Sequence, residues 1–168
     1  MRIRKMKHAY WGEVSESWAG FSSITQFSHP FFNENASREI FLGDEFDENG
    51  DEIEDLPSEN QLDEYAKTYQ AFLFNIEDHL QSIQNKAFER YQKLYAHYYE
   101  NAEKSGQSPL NITDVNAHNS YIQTMLHLRV STPNTIRILI HYDLDTEHGL
   151  EFKLENNELI QVGGIAET

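Results

Sequence analysis

Cysteine is absent from this 168-residue chain. That removes disulfides, thiolate zinc sites and thiol nucleophiles together, and it fits a reducing compartment. Long apolar runs are absent too. The longest, "AFLF" and "ILI", fall far short of the ~20 residues that span a bilayer. The opening "MRIRKMKHAYW" is basic but carries no apolar stretch, so no secretory leader is expected there. The expectation is a soluble cytoplasmic protein with no membrane partner. Catalytic signatures are missing as well. There is no Gly-x-Ser-x-Gly, no phosphate loop and no Gly-x-Gly-x-x-Gly. Finally, cations are scarce: 13 Lys and Arg stand against 28 Asp and Glu, a net charge of −15. Phosphate backbones are repelled by such a surface, which argues against direct nucleic-acid binding. A negative field instead steers basic partners inward, beside its ordinary role in solubility.

The length suits a single domain, residues 1–168, large enough to bury its own core. Residues 8–43 hold aromatic and β-branched residues broken by Gly, Ser, Asn and Pro. "YWGEV", "WAGFSSITQF" and "REIFLG" read as three short strands. "SHPFFNENAS" between the last two reads as a loop, because Pro30 and the Asn/Ser cluster interrupt pairing.

An acidic loop follows over 44–58. The stretch "GDEFDENGDEIEDLPSE" holds nine acids and no Lys or Arg. Glu45, Asp47, Asn49 and Gly50 fall at EF-hand loop positions 1, 3, 5 and 6, but Leu56 stands where the bidentate Glu belongs. Asn49-Gly50 is better read as a turn in an exposed acidic segment.

From Ser58 the period changes. Ser58 and Gln61 form a capping box. Leu62, Ala66, Tyr69, Leu73, Ile76, Leu80, Ile83, Ala87 and Leu94 then mark an apolar helical stripe, with Arg90 the polar intruder. One helix over 59–104 would be about 67 Å long at 1.5 Å per residue, too long for a domain with a radius of gyration near 15 Å. A break is therefore expected, at Asn75 or, failing that, at Asn85. A short helix is expected over 111–119.

The chain from 124 to 164 alternates with period two. Leu126, Leu128 and Val130 share one face, as do Ile136, Ile138, Ile140, Tyr142 and Leu144. Leu150, Phe152, Leu154, Ile160 and Val162 follow, giving a four-stranded antiparallel meander. The expected fold is α+β, an antiparallel sheet made of this meander plus the N-terminal strands. A central pair of long helices packs on one face.

Within the meander, "HYDLDTEHGLEF" gathers two His, two Asp and two Glu in twelve residues. Pairing Tyr142 with Leu150 would centre the turn on Thr146 and set His141 opposite Glu151. His141, Asp143, Glu147 and His148 could then hold a transition metal, since imidazole and carboxylate suit zinc, manganese or iron. His127 could approach His141 from the neighbouring strand. No fixed ligand spacing is present, so the first reading is structural: Asp145 caps the turn and Gly149 supplies a special backbone angle. No cofactor is expected. Tyr91, Tyr95, Tyr98 and Tyr99 stack along one helix, a pattern of core or interface.

Taken together, "YWGEV", the acidic "GDE" segment, "ENQLDEYAKTYQAFLFNIE" and "RILIHYDLDTEHGLEFKLENNELIQVGG" resemble a bacterial family of uncharacterised domains. The likeness runs from Tyr10 to Gly164. Its specific element is the Asp-x-Glu-His-Gly motif, here Asp145, Glu147, His148 and Gly149. The resemblance brings no activity with it. It does imply a kinship with small acidic immunity proteins that neutralise secreted bacterial toxins. The expected function is therefore non-enzymatic binding of a basic protein partner such as a nuclease toxin, with Asp44, Glu45, Asp47, Glu48, Asp51 and Glu52 as contacts. The alternatives are a metal-binding domain or metal-dependent hydrolase at the His141–His148 cluster, and a structural or regulatory domain.

Overall fold

The structure, a computed structural model, describes residues 4–33 and 37–168. Part of the "SHPFFNENAS" loop and the first three residues of the basic N-terminus lie outside the described residues. Eight strands form one sheet in chain order: β1 (Lys5–His8), β2 (Gly12–Ser17), β3 (Gly20–Phe27), β4 (Arg38–Leu42), β5 (Thr124–Ser131), β6 (Thr135–His141), β7 (Leu150–Glu155) and β8 (Glu158–Gly163). Two N-terminal details differ from the sequence reading. Lys5–His8 forms a strand, although its charges disguise it. Tyr10 and Trp11, read as strand, make the β1–β2 turn.

All neighbours pair antiparallel except β4 and β5, which run parallel with Ile40 opposite Leu128. The expected sheet was antiparallel throughout. Short turns can only reverse a strand, whereas the connection from β4 to β5 carries every helix and brings the chain back to the same end. Those helices are α1 (Glu59–Phe74), α2 (Ile76–Leu94), α3 (Ala96–Tyr99), α4 (Ala102–Ser105) and α5 (Val115–Asn119).

Helix α1 starts at the capping box: Gln61 N donates to Ser58 Oγ at 3.1 Å, and Ser58 N donates to Gln61 Oε1 at 2.8 Å. The long stripe breaks at Asn75, whose side-chain amide donates back to Ala71 O at 3.0 Å. Asn85 lies inside α2 and breaks nothing. Asp114 caps α5 by accepting from Ala117 N at 2.8 Å.

Strand alternation puts Ile40, Leu42, Leu128, Val130, Ile138 and Phe152 on one face. There they meet Leu62, Tyr69 and Phe72 of α1 and Leu80, Ile83 and Ala87 of α2 in one buried cluster. The other face presents Phe41, His127, Arg129, Arg137, Glu151 and Lys153. Two bulges shift the expected faces. One between Met125 and His127 buries Met125 and leaves Leu126 41% exposed. A second, opposite Lys153/Leu154, turns Ile160 outward. Among the described residues no helix is long and apolar enough to cross a membrane.

Candidate functional site

The β6–β7 connection pairs Ile140 with Leu150, not Tyr142, and Leu139, not His141, lies opposite Glu151. The strand therefore ends two residues earlier than expected, because Tyr142 turns into the core and donor–acceptor contact with His118 (Nε2 to OH, 2.7 Å) holds it there. The intervening loop is organised by Asp145. Its carboxylate accepts from the Tyr95 hydroxyl at 2.7 Å, from His148 N at 3.1 Å and from His148 Nδ1 at 2.9 Å. Gly149 N donates to Asp145 O at 2.9 Å, and the Tyr99 hydroxyl donates to Leu144 O. The motif thus fastens the loop to the tyrosines of the helical layer.

The electrostatics follow from these bonds. Burial pulls the Asp145 carboxyl upward, but the Tyr95 and His148 hydrogen bonds outweigh it and hold it below the usual range. The same bond and charge raise the His148 imidazole. Burial, reinforced by Asp145, pushes the Tyr95 hydroxyl up to about 12. Gly149 adopts φ +63°, and an added Cβ would sit 2.5 Å from Ile165 Cδ1. Ile165 N in turn donates to His148 O at 2.8 Å, so the turn also docks the segment after β8.

His141, Asp143, Glu147 and His148 stay dispersed. His141 Nε2 lies 3.8 Å from Asp143 Oδ1, His148 is engaged with Asp145, and Glu147 points to solvent. His127 pairs with Leu139 and leaves its Nδ1 without a partner. Among the described residues the one group with metal-ligand spacing is His8, Glu59 and Asp63, which the sequence reading missed. Its ring is already committed. Nδ1 accepts from Tyr10 N and Trp11 N at 3.2 and 3.3 Å, so Nε2 carries the proton that it shares with Asp63 at 2.8 Å. An ion at Nε2 would have to displace that proton and leave an imidazolate.

The acidic segment is a small hairpin with defined geometry. Phe46 bridges Glu52, and Ile53 N donates to Glu45 O at 2.9 Å. Asp47 closes the tip: its Oδ1 accepts from Asn49 N and Asp51 N at 2.8 and 3.0 Å, while Gly50 takes φ +84°. Asp44, Asp47, Glu48, Asp51 and Glu52 are exposed, and Glu45 is half-buried at the base. Arg129 clamps that base, donating from Nη1 to Gly43 O and from Nη2 to Ala19 O, both at 2.7 Å. Burial lowers its pKa, with Glu45 and Asp44 opposing.

Ala19 belongs to the β2–β3 turn, and beside it stands Trp18, 71% exposed. The indole meets Phe41 edge-on at 5.1 Å and His127 at 5.2 Å. The indole is thus exposed to solvent yet seated on a buried aromatic pair. Sequence reasoning took it for an ordinary strand residue. Its position just before Ala19-Gly20, at a turn where no alternation requires burial, was the available signal.

These features define a mixed α/β domain with an eight-stranded, mostly antiparallel sheet and five helices on its long central connection. The chain belongs to the family described as Domain of unknown function (DUF6985), which it matches over residues 10–167. No curated protein and no solved structure matches it.

Proposed function

We propose that this domain is a non-enzymatic protein-binding module whose partner is a basic protein, most plainly a toxin domain such as a nuclease that it neutralises in the cytoplasm. The observation that carries the reading is the exposed Trp18 beside the clamped acidic hairpin, both tied to Arg129. In this mechanism the net charge of −15 draws a cationic partner in, and the carboxylates of Asp44, Glu45, Asp47, Glu48, Asp51 and Glu52 answer its Lys and Arg. Trp18 and the exposed Phe46 then supply the apolar anchor that holds the complex. The hairpin's internal hydrogen bonds reduce the ordering entropy on binding. The Asp145–Gly149 turn serves as scaffold.

The test begins with the tagged chain in its host's lysate, washed at low and then high salt, with retained proteins identified by mass. The expected result is a basic partner whose retention weakens with salt. With that partner in hand, changing the six acids to Asn or Gln should slow association at least tenfold and flatten its salt dependence. Trp18→Ala should instead speed dissociation, at a cost of about 2 kcal/mol or more. Unchanged association kinetics in the six-acid variant would refute the steering mechanism.

A further inference from the structure

The face of the sheet that α1 and α2 do not cover carries a straight row of opposed residues. Register places Phe41 beside Arg129, Arg129 beside Arg137, and Arg137 beside Lys153. Residues directly opposite one another across an antiparallel pair share a face, with Cβ atoms about 4.5–5.5 Å apart. Three successive strands, β5, β6 and β7, therefore set Arg129, Arg137 and Lys153 side by side.

Like charges directly opposite one another destabilise a sheet. Arg129 has compensation, since it donates to Gly43 O and Ala19 O while Glu45 and Asp44 balance its charge. Arg137 and Lys153 do not. Among the described residues neither enters an ion pair, although the chain holds 28 acids. Two of those acids share the face. Glu151 accepts from Ala166 N at 3.4 Å and from Thr168 N at 3.2 Å, and Glu155 stands opposite Thr135. Two unanswered cations at this spacing suit two anions at the same spacing.

The molecule carries such a pair itself. Across the acidic hairpin Asp47 N donates to Asp51 O at 2.8 Å, next to the Phe46–Glu52 bridge, so Asp47 opposes Asp51 as Arg137 opposes Lys153. Glu48 stands beside them at the tip, and all three are exposed. Within one copy the Arg129 clamp holds the base of the hairpin, and its acids form no ion pair with Arg137 or Lys153. We propose that two copies of the chain associate about a two-fold axis, the hairpin tip of each laid on the Arg137–Lys153 pair of the other. The symmetry makes the contact twice, and each opposed pair of like charges is neutralised. Trp18, 71% exposed over Phe41 at one end of the row, gives the contact an apolar part. The charge of −15 on each copy opposes the approach. That repulsion is long-ranged, and the Debye length falls from about 30 Å at 10 mM salt to about 8 Å at 150 mM, so salt removes it before it removes the contacts. Exposed ion pairs are individually weak, which places the dissociation constant on the order of 10–100 μM. The dimer does not rest on the basic partner proposed above, which would compete for the same hairpin.

The experiment is sedimentation equilibrium of the full chain at about 200 μM in roughly 10 mM, 150 mM and 1 M sodium chloride. At the middle salt the mass is expected to lie well above that of one chain, and to fall back toward it at both extremes. Arg137→Gln with Lys153→Gln removes the two charges and should weaken association about fivefold or more. Charge reversal gives the sharper reading. Arg137→Glu with Lys153→Glu should be monomeric. So should Glu48→Lys with Asp51→Lys, in which Asp47 stays to close the tip. Mixed in equal amounts the two reversed variants should associate, because each contact again joins opposite charges. The proposal is overturned by a monomer at the middle salt, by association that grows steadily to the highest salt, or by an unchanged dissociation constant in the glutamine variant. It is also overturned if the mixture stays monomeric while circular dichroism shows both reversed variants folded.

Discussion

At the scale of single residues, histidine protonation decides how the fold responds to acid. Burial pushes His118 and His127 down to about 4, so both rings are neutral when folded and free to charge when unfolded. Between about 6.5 and 4 the unfolded chain binds the extra protons, and stability falls with pH by on the order of 2–3 kcal/mol per ring. His148 works in the other sense. Its raised pKa gives stability that is full below about 6.5 and lost as pH climbs through the folded value, while Asp145, held low, loses its share only in stronger acid. Two buried rings outweigh one exposed one, so urea midpoints should drop steadily from pH 6.5 to 4. Asp145→Asn should return the His148 titration, followed by NMR, to its ordinary value. The same change should cost about 1–3 kcal/mol, because Tyr95 loses a charged acceptor. Gly149→Ala should be destabilising by at least 1 kcal/mol in thermal melts, since positive φ and the Ile165 contact both oppose a side chain.

At the scale of elements, Arg129 links three of them: β5 itself, the β2–β3 turn through Ala19 and the acidic hairpin through Gly43. Arg129→Met keeps an aliphatic stem but removes both hydrogen bonds and the guanidinium, whose carbon lies 4.8 Å from the centre of the Phe41 ring. We expect a loss of about 2–4 kcal/mol by urea unfolding, with faster amide exchange confined first to the hairpin. Elements were largely legible in the sequence where a pattern repeats. The stripe, the capping box and Asn75 located α1 and α2, and alternation located the meander. Alternation failed where a bulge inserts a residue, at Leu126 and Ile160, because a one-residue slip exchanges the faces and leaves no local mark. It also missed β1, whose lysines suit an edge strand but read as a charged tail. The Asp145 turn was legible as a turn, since capping is local. The His8–Asp63 pair was not, because it joins residues from distant parts of the chain, and for Trp18 the one local signal was its place at the Ala19-Gly20 turn.

At the scale of the whole molecule, the excess of 28 acids over 13 cations acts on the fold as well as on any partner. Self-repulsion in the compact state is screened by salt. Raising sodium chloride from 10 to 150 mM should stabilise the domain by about 1 kcal/mol, a rise of roughly 2–4 °C in melting temperature. The six-acid variant should lose much of that response, which scanning calorimetry would show. The parallel seam between β4 and β5 has a further consequence during synthesis. A ribosome adding about 5–20 residues per second releases β4 roughly 4–18 s before β5 emerges to cover it. Throughout that interval the nascent strand shows the open edge of "REIFL" to other chains. The stretch that leaves the tunnel next is Gly43–Glu59, nine acids without a cation, and it sits beside that edge as an electrostatic gatekeeper until the sheet can close.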